Sequence, residues 1–234
     1  MSPRRLILAL ASLLLGSIVV APPASAEVVE CPGVLTGPID ANVVVPSGTT
    51  CLIVAAQVDG NVFVESAASL QARNSLIDGN VIGHDSRSVI LNFQTEVTRN
   101  FHVRGGAVGT ITGFDIRTRV GGNAKIEQNA GRTFVDAASV GGNLLIYDNT
   151  GFLEIEFNTI EGSVHVKNNV PVGMSNIFNT VGHSMIVSNN SGPSTKIVAA
   201  NTVAQSLVCQ NNDPPFVGAP NVASNYQGQC GMTP

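Results

Sequence analysis

The sequence predicts an all-β chain wound as a single-domain parallel β-helix of about ten coils. Three observations carry this reading. A short motif recurs every 19 to 23 residues between Asn42 and Asn225. Within each recurrence apolar and variable positions alternate, which is the period of a strand. No stretch after residue 26 holds a helical period of useful length. Composition agrees: 44% of the 234 residues are hydrophobic, 12% charged and 5% aromatic, with 24 Gly and no Trp. A charged fraction at half the roughly 25% of ordinary globular chains excludes a disordered polyelectrolyte. It also excludes a nucleic-acid binder that works by phosphate neutralisation, since no basic patch is present.

The first element is a targeting segment. Arg4 and Arg5 form a positive n-region, residues 6–20 are an apolar run, and PPASA at 22–26 ends in a small-residue cleavage site. The run is short for a membrane span and has the wrong flanks for one. Residues 1–26 are therefore expected to be a signal peptide and residues 27–234 a secreted, extracellular β-helix domain. The residues after the paired arginines fit twin-arginine export poorly, and no Cys near the cleavage site marks a lipoprotein. Losing the two arginines takes the formal charge from −4 to −6. No later run is apolar enough to span a bilayer, so no membrane partner is expected after cleavage.

The repeats follow. Clear copies include VDGNVFV at 58–64, VGGNAKI at 120–126, VGGNLLI at 140–146, IEGSVHV at 160–166 and VGHSMIV at 181–187. Their anchors are Asn42, Asn61, Asn80, Asn100, Asn123, Asn143, Ser163, Ser184, Ser206 and Asn225. Residues one and three past the anchor are apolar, so each copy carries a short strand with Val62, Val64, Phe101, Val103, Leu144, Ile146, Val164, Val166, Met185 and Val187 pointing inward. A polar turn and a second β-rich segment, such as residues 89–93 or 152–157, complete the coil. One strand cannot bury its apolar face alone; stacking its equivalents ~4.8 Å apart builds a solenoid of roughly 45–50 Å. The variable repeat length favours a right-handed helix, whose turns tolerate insertion. A β-sandwich does not explain recurrence at fixed phase.

Three polar columns run through the repeats. Besides the anchors, Asn129, Asn149, Asn169, Asn190 and Asn212 lie six residues after an anchor, and Asn158, Asn179 and Asn201 lie five before one. Stacked Asn can bond amide to amide between coils, so these columns are read as structural ladders; the functional alternative is that they bind ice, sugar or metal. Gly60, Gly79, Gly122, Gly142 and Gly162, just before the anchor, are expected to supply a positive φ. Cys31 and Cys51 are 20 residues apart and Cys209 and Cys230 are 21 apart, about one coil each. That spacing predicts two disulfides, Cys31–Cys51 and Cys209–Cys230, stapling the ends at 27–57 and 207–234. The four thiols sit at opposite ends with no His near them in sequence, so no metal site is expected.

The strings VDGNVFV, VGGNAKI, VGGNLLIYDN and the closing SNYQGQC resemble a family of small secreted actinobacterial proteins with T-V-x-G-N-[VL]-x-V repeats and a terminal G-x-C. The resemblance covers nearly the whole chain after residue 26. It implies a β-solenoid and export, and carries no activity. Ser163, Ser184 and Ser206 depart from the family's anchor Asn, which leaves the ladder less regular there.

Positions two and four past the anchor point outward. They bring His84, His102, Arg104, Lys125, Glu127, Tyr147, His165 and Lys167 onto one sheet face. Such a face can grip an anionic extracellular polysaccharide or cell-wall glycan; alternatively it is a solvated face with cross-strand ion pairs such as Arg104–Glu127. A second cluster is acidic: Asp115, Asp136, Glu154 and Glu156. Paired carboxylates can run glycoside hydrolysis. No nucleophile elbow, HExxH, P-loop or calcium-loop motif occurs, no catalytic residue is assigned and no cofactor is expected. The chain is read as a non-enzymatic structural or surface-binding module, monomeric because its ends are stapled. A polysaccharide lyase or glycoside hydrolase is the alternative.

Overall fold

The computed structural model describes residues 27–218 and 220–231; the leader expected at 1–26 lies outside them. The described chain is a β-solenoid of about ten turns. All strand pairings are parallel and belong to one continuous sheet, which folds into three faces. The anchor face stacks Asn42–Val45, Val62–Val64, Val81–His84, Phe101–Arg104, Ala124–Glu127, Leu144–Tyr147, Val164–Lys167 and Met185–Ser188. The second face stacks Ser69–Arg73, Ser88–Asn92, Ile111–Phe114, Arg132–Asp136, Leu153–Glu156, Met174–Ile177 and Lys196–Ala199. A third face, absent from the sequence reading as a strand, consists of two-residue strands such as Leu76–Ile77, Glu96–Val97 and Ser139–Val140. Its inward residues are the apolar ones three before each anchor: Val58, Ile77, Val97, Val120, Val140, Ile160, Val181 and Val203, all buried.

Register follows the repeat. Phe101 stacks on Val81, Ala124 on Phe101, Leu144 on Ala124 and Val164 on Leu144. The longest interval, 23 residues, does not shift it. The extra residues form a loop at 105–110, where Gly105, Gly106 and Gly109 take positive φ and Val108 is exposed. All ten residues expected to point inward are buried. Bulk is traded between coils: Phe101 meets Phe114 edge-on at 5.3 Å between centroids, and its register neighbour is the small Ala124.

The ladders form as bonded columns. In the anchor ladder Asn61, Asn80, Asn100 and Asn143 each donate from backbone N and side-chain Nδ2 to the Oδ1 of the anchor one coil earlier, at 2.8–3.1 Å. The run weakens at the serines: Ser163 donates its backbone N–H to Asn143 Oδ1 at 2.9 Å, but Ser184 reaches Ser163 Oγ only at 3.4 Å. The two inner ladders run the other way. Asn149, Asn169 and Asn190 donate to the next coil's Asn, as do Asn158 and Asn179. Gln229 and Asn221, which the sequence reading did not include, accept from the last members, Asn212 and Asn201.

The turn glycines have a different role from the one expected. Gly60, Gly79, Gly122, Gly142 and Gly162 do not have positive φ. They are small because the coils touch there: a Cβ on Gly79 would lie 2.3 Å from the Gly60 carbonyl oxygen, and one on Gly142 would lie 2.7 Å from Asn123 Oδ1. Left-handed backbone falls instead on Gln128, Asp148, Asn168, Asn189 and Asn211, each directly before an inner-ladder Asn, with φ of 54–57°. Both end staples are present, with Cα–Cα distances of 5.4 Å for Cys31–Cys51 and 5.2 Å for Cys209–Cys230.

The strand phase sets a stability contrast. Leu144→Ala should cost about 2–5 kcal/mol through lost burial and a cavity, whereas Leu145→Ala, on the outward side, should cost far less. Denaturant unfolding of the two variants checks this, and equal losses would place the phase one residue out.

Candidate functional site

The eight outward candidates form two adjacent columns on the anchor face. One runs Ile82, His102, Lys125, Leu145, His165; the other runs His84, Arg104, Glu127, Tyr147, Lys167. Register therefore brings them together as the repeat phase implied. Their contacts differ in one respect from the expected ion pair. Arg104 and Glu127 are register partners, yet Glu127 turns to Lys125, whose Nζ is 2.8 Å from its Oε1, and to His102 Nε2 at 3.0 Å. Arg104 instead donates through Nε to Gln128 Oε1 at 2.8 Å. The reason is local: Lys125 and Glu127 are two apart on one strand and share a face, so the carboxylate reaching diagonally meets both Lys125 and His102. Burial works to raise the Glu127 pKa, but the hydrogen bonds from Lys125 and His102 prevail and hold it below the usual carboxylate value. Tyr147 Oη lies 3.1 Å from His165 Nδ1. Burial, then the Lys167 charge, lowers the His165 pKa, so this imidazole gains charge only in more acid conditions than usual.

Beside these columns runs a groove of about 520 Å³. Ile82, His102, Lys125 and Leu145 form one side, and the anchor amides of Asn80, Asn100, Asn123 and Asn143 the other. Each Asn has two amide hydrogens, and the ladder uses one along the axis. Asn80, Asn100 and Asn143 each donate Nδ2 to the preceding anchor's Oδ1, and these amides recur along the groove once per coil. His183 stands in a turn, where its backbone N–H donates to the Gly162 carbonyl.

The acidic cluster lies on the second face, in a notch of about 340 Å³. Asp136 pairs in register with Glu156, and the same row continues through Asp115 to Asn92 as the residues following the register pair Phe114 and Leu91. Gly113 opens the notch. It sits in register between Ile90 and Phe134, at φ +154°, and a Cβ there would collide with the Phe134 backbone carbonyl. Sequence reasoning missed Gly113, although an isolated Gly inside a strand run (ITGF) signals close approach. Arg132 pairs with Glu154 and lies over the Phe134 ring at 5.3 Å. Burial first, then the neighbouring acids, raises the pKa of Asp115 and of Asp136. Among the described residues, no three His, Cys, Asp or Glu side chains converge closely enough to hold a metal ion.

No family model, curated protein or solved structure matches this chain. The reading of its chemistry therefore rests on these two surfaces. The two disulfides fit an oxidising environment.

The crowded carboxyls carry a sign that can be measured. Asp115 titrates above its ordinary 3.8 in the folded chain, so the folded state binds more protons than the unfolded one across that interval. Its charge therefore weakens the fold at neutral pH, and stability falls as pH rises through the raised pKa. Asp115→Asn should raise the melting temperature at pH 7 and change it little near pH 3, where the carboxyl is neutral in both states. A loss of stability at pH 7 would show that another contact, not charge crowding, governs Asp115.

Proposed function

We propose that the protein is a secreted, non-enzymatic β-solenoid of the actinobacterial kind its repeats resemble, and that it binds an extracellular or cell-wall glycan along the anchor face. The observation that supports this is the groove lined by the anchor Asn of four successive coils beside a column of Ile82, His102, Lys125 and Leu145. A polymer of hydroxylated rings needs such a site: donors repeating along its length beside apolar patches that accept ring faces. Tyr147 and His165 extend the surface by one coil. Arg104 and Lys167 make no ion pair among the described residues and favour an acidic glycan, against the repulsion of a mature charge of −6 once Arg4 and Arg5 are removed from the −4 of the full chain.

A second reading is a polysaccharide-cleaving enzyme, favoured by the side-by-side placement of Asp115, Asp136 and Glu156, since paired carboxyls carry out glycoside hydrolysis. Release of reducing ends or unsaturated products from a polymer would establish it.

Binding to an immobilised uronate polymer at low salt tests the first reading. The double change Arg104→Ser with Lys167→Ser should weaken binding about tenfold, and rising salt should weaken it further. Glu127→Gln should strengthen binding, because it releases Lys125 and His102 from their shared carboxylate. Binding indifferent to all three changes would remove the glycan from this face.

A further inference from the structure

The notch on the second face is independent of the glycan reading and calls for a different ligand. We propose that it binds a small aliphatic polyamine, with Asp115, Asp136 and Glu156 holding the ammonium groups. Three observations carry the inference. The carboxylates of Asp115, Asp136 and Glu156 stand side by side on successive coils, and no ion pair neutralises them among the described residues. The one cation within the notch, Arg132, is already engaged with Glu154.

The second observation is Asn92, at the end of the same row. It is 8% exposed and lines the notch, yet its Oδ1 accepts no hydrogen bond. Its register neighbour Arg73 lies over the Phe93 ring instead, 5.7 Å from the centroid. Asp115 Oδ1 is likewise buried without a donor. A buried acceptor left unmade costs about 1–3 kcal/mol, more when charged. With Arg132 committed to Glu154, the notch holds more acceptors and negative charge than its own donors and cation match, and an ammonium group supplies both a donor and positive charge.

The third observation is size and spread. The volume of about 340 Å³ lies at the lower end of the 300–1,000 Å³ typical of small-ligand pockets. No three acids converge on a point, as a bare metal ion requires. The carboxylates are instead strung out at the inter-strand spacing of ~4.8 Å, close to the separation that a short methylene chain sets between successive ammonium groups. Ile90, Ile111 and Phe134 offer apolar contact to those methylenes. Arg132 shows that the same surface accepts an organic cation, with Nε and Nη2 both donating to the Glu154 carboxylate and its guanidinium over Phe134.

Calorimetric titration of the purified protein with spermidine, in the absence of glycan, tests this. Spermidine should bind, weaken as sodium chloride is raised, and weaken about tenfold in the Asp115→Asn, Asp136→Asn double variant. Glu156→Gln should give a smaller loss, and serves if the double variant fails to fold by circular dichroism. Glu161→Gln, at an exposed acid in the turn after Thr159–Ile160, should bind as the unaltered protein does. Absence of spermidine binding, binding that survives both sets of changes, or calcium binding at these residues more tightly than spermidine would each overturn the proposal.

Discussion

The nearest neighbours of a residue in this chain are its own counterparts one coil before and one coil after. Along the strands that arrangement satisfies the backbone automatically, because parallel pairing gives each N–H a carbonyl in the adjacent coil. At the corners the ladder is interrupted, and an N–H that loses its carbonyl there is lost again at every coil. The Asn columns meet this repeated deficit. An Asn Oδ1 accepts the backbone N–H of the neighbouring coil's Asn at 2.8–3.1 Å, so the side chain stands in for the missing carbonyl. In the buried columns the amide also donates to a strand carbonyl, as Asn169 Nδ2 does to Ile146 at 3.1 Å. Each such Asn is buried with its oxygen and nitrogen both used, which is the condition for a polar group to be kept inside.

The opposite polarities of the ladders fix what the two ends must provide. The anchor column takes its acceptors from the earlier coil, so its first member, Asn42, needs one from before the first full turn and finds it in the Glu27 carbonyl at 2.9 Å. The inner columns take theirs from the later coil, so Asn212 and Asn201 need acceptors beyond the last full turn, and Gln229 and Asn221 supply them. The Cys31–Cys51 and Cys209–Cys230 bridges stand at those same ends. Staple and ladder cap act together where a repeat structure would otherwise fray. The corners carry a strain as well. Phe157 and Phe178 both hold a φ of 57°, a conformation unfavourable for a bulky residue by about 1–2 kcal/mol. Their rings stack at 4.9 Å between centroids, a contact available only because the two turns are in register.

Most of the fold was legible because the solenoid repeats its physics, and a pattern sampled at ten anchors averages out local noise. The anchor phase, the buried columns and both disulfides follow from it. The third face was visible only as an apolar residue three before each anchor, since a two-residue strand has no period to read. The glycines misled because a Gly before a turn has two physical causes, a left-handed φ or a close approach. Only coordinates distinguish them: at Gly79 the Gly60 carbonyl would meet a Cβ at 2.3 Å. Phase also gathered the face candidates correctly, but could not say that Glu127 would leave its register partner Arg104 for Lys125 and His102. Side-chain direction within a face is set by length and local competition, which a repeat does not encode.

Function in such a rod has to reside where the repeat is broken, since a perfectly periodic surface offers no place preferred over the next. The anchor groove departs from uniformity only gently, by placing His102 and Lys125 between Ile82 and Leu145. It therefore suits a long ligand that reads several coils at once, each contributing a weak and similar contact. The notch departs sharply. One residue without a side chain, Gly113, removes a step from an outward column, and three unneutralised acids share the space beside it. Burial first, then repulsion between like charges at strand spacing, raises the pKa of Asp115 and of Asp136. Of the buried polar atoms left without a partner among the described residues, two, Asn92 Oδ1 and Asp115 Oδ1, belong to residues that line this notch. The proposed polyamine would relieve that repulsion along the row, so the notch would select by charge and spacing and the groove by length.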